Sequence, residues 1–269
     1  MSKAQQSNVQ ETGRSDGPVM VFVHGYGCDQ NVWRHVTPAF AGDHRIVLLD
    51  LIGSGHSDLS AYDPQRYSSL HGYADDLVDI CKELDLRDVT LVGHSVAAIT
   101  GALATMKAPD RFARLVMVAP SPCYINDGEY HGGFDAADID ELLASIDANY
   151  LGWSTTMAPV IMGRPDRPEL GVELSENFCR TDPNVARQFA RVTFLSDHRA
   201  DLTYITIPTL ILQCTDDIIA PVSVGDYMQH TMPNAHMVLL EATGHCPHLS
   251  EPGQTIDAIR AFLTNPTPP

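Results

Sequence analysis

The chain is short of positive charge. It carries 17 lysines and arginines against 34 aspartates and glutamates, a formal charge of −17 over 269 residues. A surface of that sign repels phosphate backbones and anionic lipid, which argues against nucleic acid or a membrane as partner. Cysteine is also scarce. Cys28, Cys81, Cys123, Cys179, Cys214 and Cys246 are widely spaced and form no C-x-x-C, so neither a zinc knuckle nor a thioredoxin-like motif is indicated. Thiols in apolar stretches behave as small hydrophobes, and a reduced cytoplasmic compartment fits them best. No apolar run is long enough to span a bilayer, and Met1 to Gly17 is polar where a secretory signal would be apolar. There is no internal repeat.

What is present begins with the stretch Thr90 to Gly101. Val89 to Val92 reads as a short buried strand, and Val96 to Met106, small and apolar, as a buried helix. Gly93, His94 and Ser95 must make the turn between them. A strand that becomes a helix within three residues exposes the middle hydroxyl above the sheet and aims the helix N-terminus at it. Ser95 is therefore a candidate nucleophile, with the Val96 N–H as an oxyanion donor. The pattern G-x-S-x-G is met in part, since Ala97 stands at the second glycine. Gly55-His56-Ser57 repeats the tripeptide, but a polar run follows it, so Ser57 reads as a loop serine.

The fold expected is α/β, a doubly wound and mostly parallel sheet. Pro18 to Val23, Arg45 to Asp50, Val89 to Val92, Leu115 to Ala119, Thr209 to Gln213 and Val238 to Leu240 are largely apolar, as strands covered on both faces are. Trp33 to Phe40, Leu70 to Leu86, Val222 to Met232 and Thr255 to Leu263 read as helices between them. Residues 1–16 are polar and read as a flexible leader, with a weak edge strand near Asn8 to Thr12. Pro266 to Pro269 reads as a tail. Residues 122–198 show no strand; Ala136 to Tyr150, Leu170 to Phe178 and Asp182 to Phe194 have helical character. The division expected is a core of 17–121 and 199–265 with an inserted helical lid, 122–198.

A serine needs a base, usually histidine, oriented by a carboxylate. In a parallel sheet such groups emerge beyond the C-terminal strand ends. After Thr209 to Gln213 come Asp216 and Asp217; after Val238 to Leu240 comes His245. The order Ser, acid, His is the α/β-hydrolase order. Asp217 is favoured over Asp216 because it precedes the apolar Ile218 to Pro221. His248 lacks carboxylates or cysteines at ligand spacing, so no metal is expected. His24-Gly-Tyr-Gly27 ends the strand beside the elbow strand, which makes the Tyr26 N–H a second oxyanion donor.

These residues carry a resemblance. His24 to Gln30, Gly53 to Asp58, Gly93 to Val96, Pro120 to Tyr124, Gly132 to Phe134, Asn149 to Trp153, Ser196 to Arg199, Gln213 to Asp217 and Gly244 to His248 resemble a small α/β-hydrolase group. That group contains the bacterial stress-response regulator RsbQ and the plant strigolactone and karrikin receptors, and the bacterial regulator looks closer. The resemblance implies Ser95, Asp217 and His245 as catalytic triad, and Tyr26 and Val96 as oxyanion hole. It also implies an apolar pocket lined by His94, Tyr124, Phe134, Trp153, Phe194, Ile218 and Ile219, and no cofactor. The ligand implied is a small apolar ester, lactone or butenolide. A sensor that engages a signalling protein such as a phosphatase is the alternative. Ala97 replaces the family's serine, and Tyr26 its frequent phenylalanine.

Overall fold

In the computed structural model, residues 1–265 are described; the expected tail, Pro266 to Pro269, lies outside them. Helix α1 (Lys3–Gln6) and strand β1 (Gln10–Gly13) come first, then β2 (Val19–Val23), β3 (Arg45–Leu49), α2 (Leu70–Glu83), β4 (Val89–His94), α3 (Val96–Lys107) and β5 (Phe112–Val118). Four helices follow: α4 (Ala136–Ala148), α5 (Tyr150–Met162), α6 (Pro168–Arg180) and α7 (Pro183–Phe194). The alternation resumes with β6 (Thr209–Asp216), α8 (Val222–Thr231), β7 (Ala235–Thr243), α9 (Pro247–Ser250) and α10 (Pro252–Thr264).

The seven strands form one sheet in the order β1-β3-β2-β4-β5-β6-β7. All neighbours are parallel except β1 with β3. Alternate strand residues go to opposite faces. Val21, Val23, Leu91, Leu115 and Met117 join one apolar core beneath α2 and α3. Met20, Phe22, Val92, Val116 and Leu212 join a second core. That second core continues into Tyr150, Phe178 and Phe194 of the four inserted helices. The insertion is thus built onto the sheet rather than standing apart from it. After β2 the chain crosses to β3 on one side, then returns to β4 on the other. The crevice at this reversal is where a doubly wound sheet offers a site.

Three expectations need correction. Residues 1–16 are not a flexible leader. Burial could not hold so polar a segment, but hydrogen bonds do. Ser2 and Gln5 cap α1 reciprocally, the Ala4 N–H meets Glu83 at 3.2 Å, Asn8 donates to Asp50 at 2.8 Å, and β1 pairs residue for residue with β3. Trp33 to Phe40 is not an α-helix. It is two short 3₁₀ turns, Gln30–Trp33 and Thr37–Ala39, the second carrying Pro38, which has no N–H to give back to the preceding turn. The lid has a fourth helix, α5, which Gly152 and Pro159 hid from a propensity reading.

The join of β4 to α3 is tight. A Cβ on Gly93 would lie 2.6 Å from the Ala97 carbonyl oxygen and 2.7 Å from the Ala98 nitrogen. The close approach that the motif's second glycine usually serves is therefore carried by Gly93, and Ala97 fits fully buried. Gly93→Ala is expected to lower stability by about 1–3 kcal/mol through forced backbone displacement. Urea unfolding with an unchanged slope and a lower midpoint checks it.

Candidate active site

Ser95 sits between β4 and α3 with φ 56° and ψ −125°, a conformation costly for any side chain. Its neighbours enforce it. The Ser95 N–H donates to the Val118 carbonyl at 2.8 Å, and the Ala98 N–H donates to the Ser95 carbonyl at 2.9 Å. The N–H groups of the first turn of α3, Val96 first, have no acceptor within the helix. They stand where a negative oxygen would be stabilised.

A line of hydrogen bonds runs back from the serine. The Ser95 hydroxyl donates to His245 Nε2 at 2.7 Å, and His245 Nδ1–H donates to Asp217 Oδ2 at 2.7 Å. Asp217 Oδ1 accepts from the Ile219 and Ala220 N–H groups at 2.8 and 3.2 Å. All three side chains are buried. Asp216, the competing carboxylate, is exposed; its main-chain carbonyl instead accepts from the Gly244 N–H at 2.7 Å. The loop carrying His245 is pinned again by the lid. The His245 N–H donates to Ile161 of α5 at 2.9 Å, and a Cβ on Gly244, whose φ is +90°, would strike the Met162 carbonyl at 1.9 Å.

On the other side, His24 holds the loop after β2. Its Nδ1–H donates to Gly25 at 2.8 Å, and its Nε2 accepts from the Leu51 N–H at 3.0 Å. Because β2 pairs with β4 through Val23 and Gly93, this loop lies beside Ser95. The Tyr26 hydroxyl donates to Ala186 of α7 at 3.1 Å, so the loop is tied to the lid. Arg180–Asp29 at 3.0 Å and Arg34–Glu173 at 2.6 Å tie it further.

The cavity above Ser95 has a volume of about 40 Å³. Of the residues expected to line it, His94, Tyr124, Trp153, Phe194 and Ile219 do so, beside Tyr26, Ser95 and His245. Two do not. Ile218 is 47% exposed: Asp217 binds the N–H of Ile219 and Ala220, and that turn sends Ile219 inward and Ile218 out. Phe134 is half-buried and packs outside the cavity, its main chain paired with Tyr124. The lining also holds Cys28, Ile161, Leu174, Phe178, Thr193 and Cys246, which the sequence reading missed. Cys28 and Cys246 adjoin named site residues. Leu174 and Phe178 share the apolar stripe of α6 with Leu170. Those four were within reach of the pattern. Ile161 needed α5, and Thr193 needed the packing.

Burial sets the charge states. It pushes the Cys28 and Cys246 thiols up, with nearby carboxylates adding to the effect, so neither rivals Ser95 as a nucleophile. It pushes the Tyr124 phenol up, so that side chain stays a neutral phenol at the cavity wall. His94 is held well below the usual imidazole range by burial first, then by repulsion from His248 and His245. Neutral His94 donates from Nε2 to the His245 carbonyl at 2.8 Å. His248 stacks between Trp33 and His94 at 4.6 and 4.4 Å and is pushed down to about 3, again chiefly by burial. Among the described residues no cluster of three or more His, Cys, Asp or Glu could hold a metal.

Residues 20–258 match the alpha/beta hydrolase family. The chain is 37% identical over 248 residues to a karrikin insensitive 2 receptor of Petunia hybrida, covering 91% of this chain and 90% of that one. It is 36% identical over 259 residues to a strigolactone esterase of Pisum sativum, covering 96% of each. A solved hydrolase of Oleispira antarctica superposes with a TM-score of 0.95 at 40% identity, over 98% of both chains.

The buried histidines generate a pH prediction. The unfolded chain takes up a proton on the His248 imidazole near pH 6.5, whereas the folded chain does so only near pH 3. Between those values the unfolded state binds more protons, so stability falls as pH falls. Replacing His248 by leucine removes that titration. The fall in Tm from pH 7 to pH 5 is expected to be smaller in His248→Leu than in the parent, even if the variant is less stable at both.

Proposed function

The chain belongs to the alpha/beta hydrolase family, and we propose that it is a serine hydrolase acting through an acyl-enzyme on a small, mostly apolar ester, lactone or butenolide. The observation that carries this reading is the unbroken line Ser95–His245–Asp217 opening into the cavity. Ser95 Oγ attacks the carbonyl carbon while its proton passes to His245 Nε2. The carbonyl oxygen becomes an anion held by the Val96 and Tyr26 N–H groups. Expulsion of the alkoxide takes the proton back from His245. Water, deprotonated by His245, then attacks the acyl-serine, and the acid leaves as Ser95 recovers its proton. Asp217 holds His245 in the Nδ1–H tautomer and balances the imidazolium charge.

The cavity's character supports the substrate class. Trp153, Ile161, Leu174, Phe178, Phe194 and Ile219 face it, and no lysine or arginine lines it. Burying an unpaired carboxylate there would cost several kcal/mol, whereas apolar contact contributes roughly 25 cal/mol per Å² removed from water. A volume of about 40 Å³ favours short acyl groups. A second reading, a ligand sensor with slow turnover, is favoured by the receptor named among the relatives. It uses the same three residues. Rapid turnover of many esters supports the enzyme; slow turnover with large ligand-dependent melting shifts supports the sensor.

Ser95→Ala and His245→Ala are each expected to lower ester hydrolysis by on the order of a thousandfold or more, with the fold retained by circular dichroism. Asp217→Asn should be severe and Asp216→Asn mild; the reverse would move the acid to Asp216. A p-nitrophenyl series from acetate to palmitate, with a charged succinate monoester, reads the pocket through kcat/KM. Short neutral esters should be preferred. Equal rates for long or charged members would point to an open groove instead of an enclosed cavity.

A further inference from the structure

The lid's share of the cavity is apolar but for a few groups, and one of those has no assigned partner. Thr193 lies in the last turn of α7, lines the cavity, and is 1% exposed. Its hydroxyl is buried without any hydrogen-bond partner in the protein. A threonine in a helix ordinarily satisfies itself by donating to the carbonyl four residues back, as Thr100 does to Val96 at 3.0 Å and Thr231 to Tyr227 at 2.7 Å. Thr193 makes no such bond. An unmet buried hydroxyl destabilises the folded chain, and valine would fill the same space without that cost.

Several other polar groups at the cavity have tasks. Ser95, His245 and the Tyr26 hydroxyl are hydrogen-bonded. His94 donates from Nε2, and its unpaired Nδ1 sits against Gly25, where an added Cβ would come within 2.6 Å. Thr193 is the residue of the lining whose hydroxyl is buried without a partner. We propose that Thr193 is a specificity-determining residue that hydrogen-bonds the ligand. The class of ligand is then a small ester or lactone carrying a second oxygen, as ether, hydroxyl or carbonyl. In so small a cavity that oxygen stands only a few bonds from the reacting carbonyl. The role rests on the reading of Ser95 as the nucleophile at the cavity's other wall.

The test uses matched esters that differ only by an oxygen for a methylene: p-nitrophenyl methoxyacetate with butanoate, and p-nitrophenyl β-methoxypropanoate with pentanoate. The ratio of kcat/KM within each pair is compared between wild type, Thr193→Val and Thr193→Ser, which cancels the intrinsic reactivity of each ester. Thr193→Val should lower the oxygen-to-methylene ratio by about tenfold in at least one pair and Thr193→Ser should keep it. Thr193→Val should also raise the Tm of the free protein. Thr193→Ala serves the same comparison if valine does not fold. Ratios unchanged within about twofold in both pairs overturn the proposal. Melting shifts with the methyl esters of the same acids, in a Ser95→Ala background with and without Thr193→Val, give a reading without turnover. A larger shift from the oxygen-bearing ester that disappears with Thr193→Val sustains the contact even if wild type hydrolyses nothing, an outcome that would sink the hydrolase reading alone. No difference there, with hydrolysis by wild type intact, sinks the contact alone.

Discussion

The approach of β4 to α3 at Gly93 governs the molecule. Strand and helix come so close that no side chain fits at Gly93, and the turn between them can be made only with Ser95 at a positive φ. That strain is held by main-chain bonds to Val118 and Ala98 and by packing on both sheet faces. It leaves the hydroxyl above the sheet and the open N–H groups of α3 beside it. A strained residue of this kind persists only where its surroundings over-determine it. Much of the apolar core serves that purpose, since Leu91 and Val92 bury on opposite faces and lock the strand against sliding.

The inserted helices are bonded to the candidate site beneath them. Ile161 of α5 accepts from the main chain of His245, and Ala186 of α7 accepts from the Tyr26 hydroxyl. Phe178 of α6 presses on the loop after β2, where a Cβ on Gly27 would come within 2.4 Å of its ring. Arg180 and Arg34 add ion pairs between lid and loop. A movement of the lid therefore acts on both the histidine loop and the proposed oxyanion loop. The hydrolase and sensor readings share this coupling: a ligand that favours one lid position also favours one geometry of the site, in proportion to its differential affinity.

Behind His245 the packing is of neutral imidazoles. His94 and His248 are buried, and their burial denies them charge. An uncharged His94 can donate to the His245 carbonyl without placing a second cation beside the imidazolium that the proposed mechanism forms. The base of the proposed mechanism, His245, thus has neutral imidazoles behind it.

The sequence by itself determined the sheet, the elbow and the order of the proposed catalytic residues. Those rest on local properties: apolar runs that must be covered on both faces, a strand-to-helix switch within three residues, and polar groups just beyond strand ends. Asp217 was preferred over Asp216 from the apolar Ile218 to Pro221, and the structure joins Asp217 to His245. The tertiary structure decided what depends on partners distant in the chain. The leader is ordered by Glu83, Asp50 and β3, none of which its own composition reveals. Helix α5 forms despite Gly152 and Pro159 because its residues Tyr150, Ile161 and Met162 bury against the second core. Ile218 turns outward because one carboxylate captures the next two N–H groups. Thr193 faces a cavity because four helices close over the sheet. A side chain's direction within a helix follows from the packing of that helix, and packing is a property of the whole fold rather than of the stretch that carries the residue.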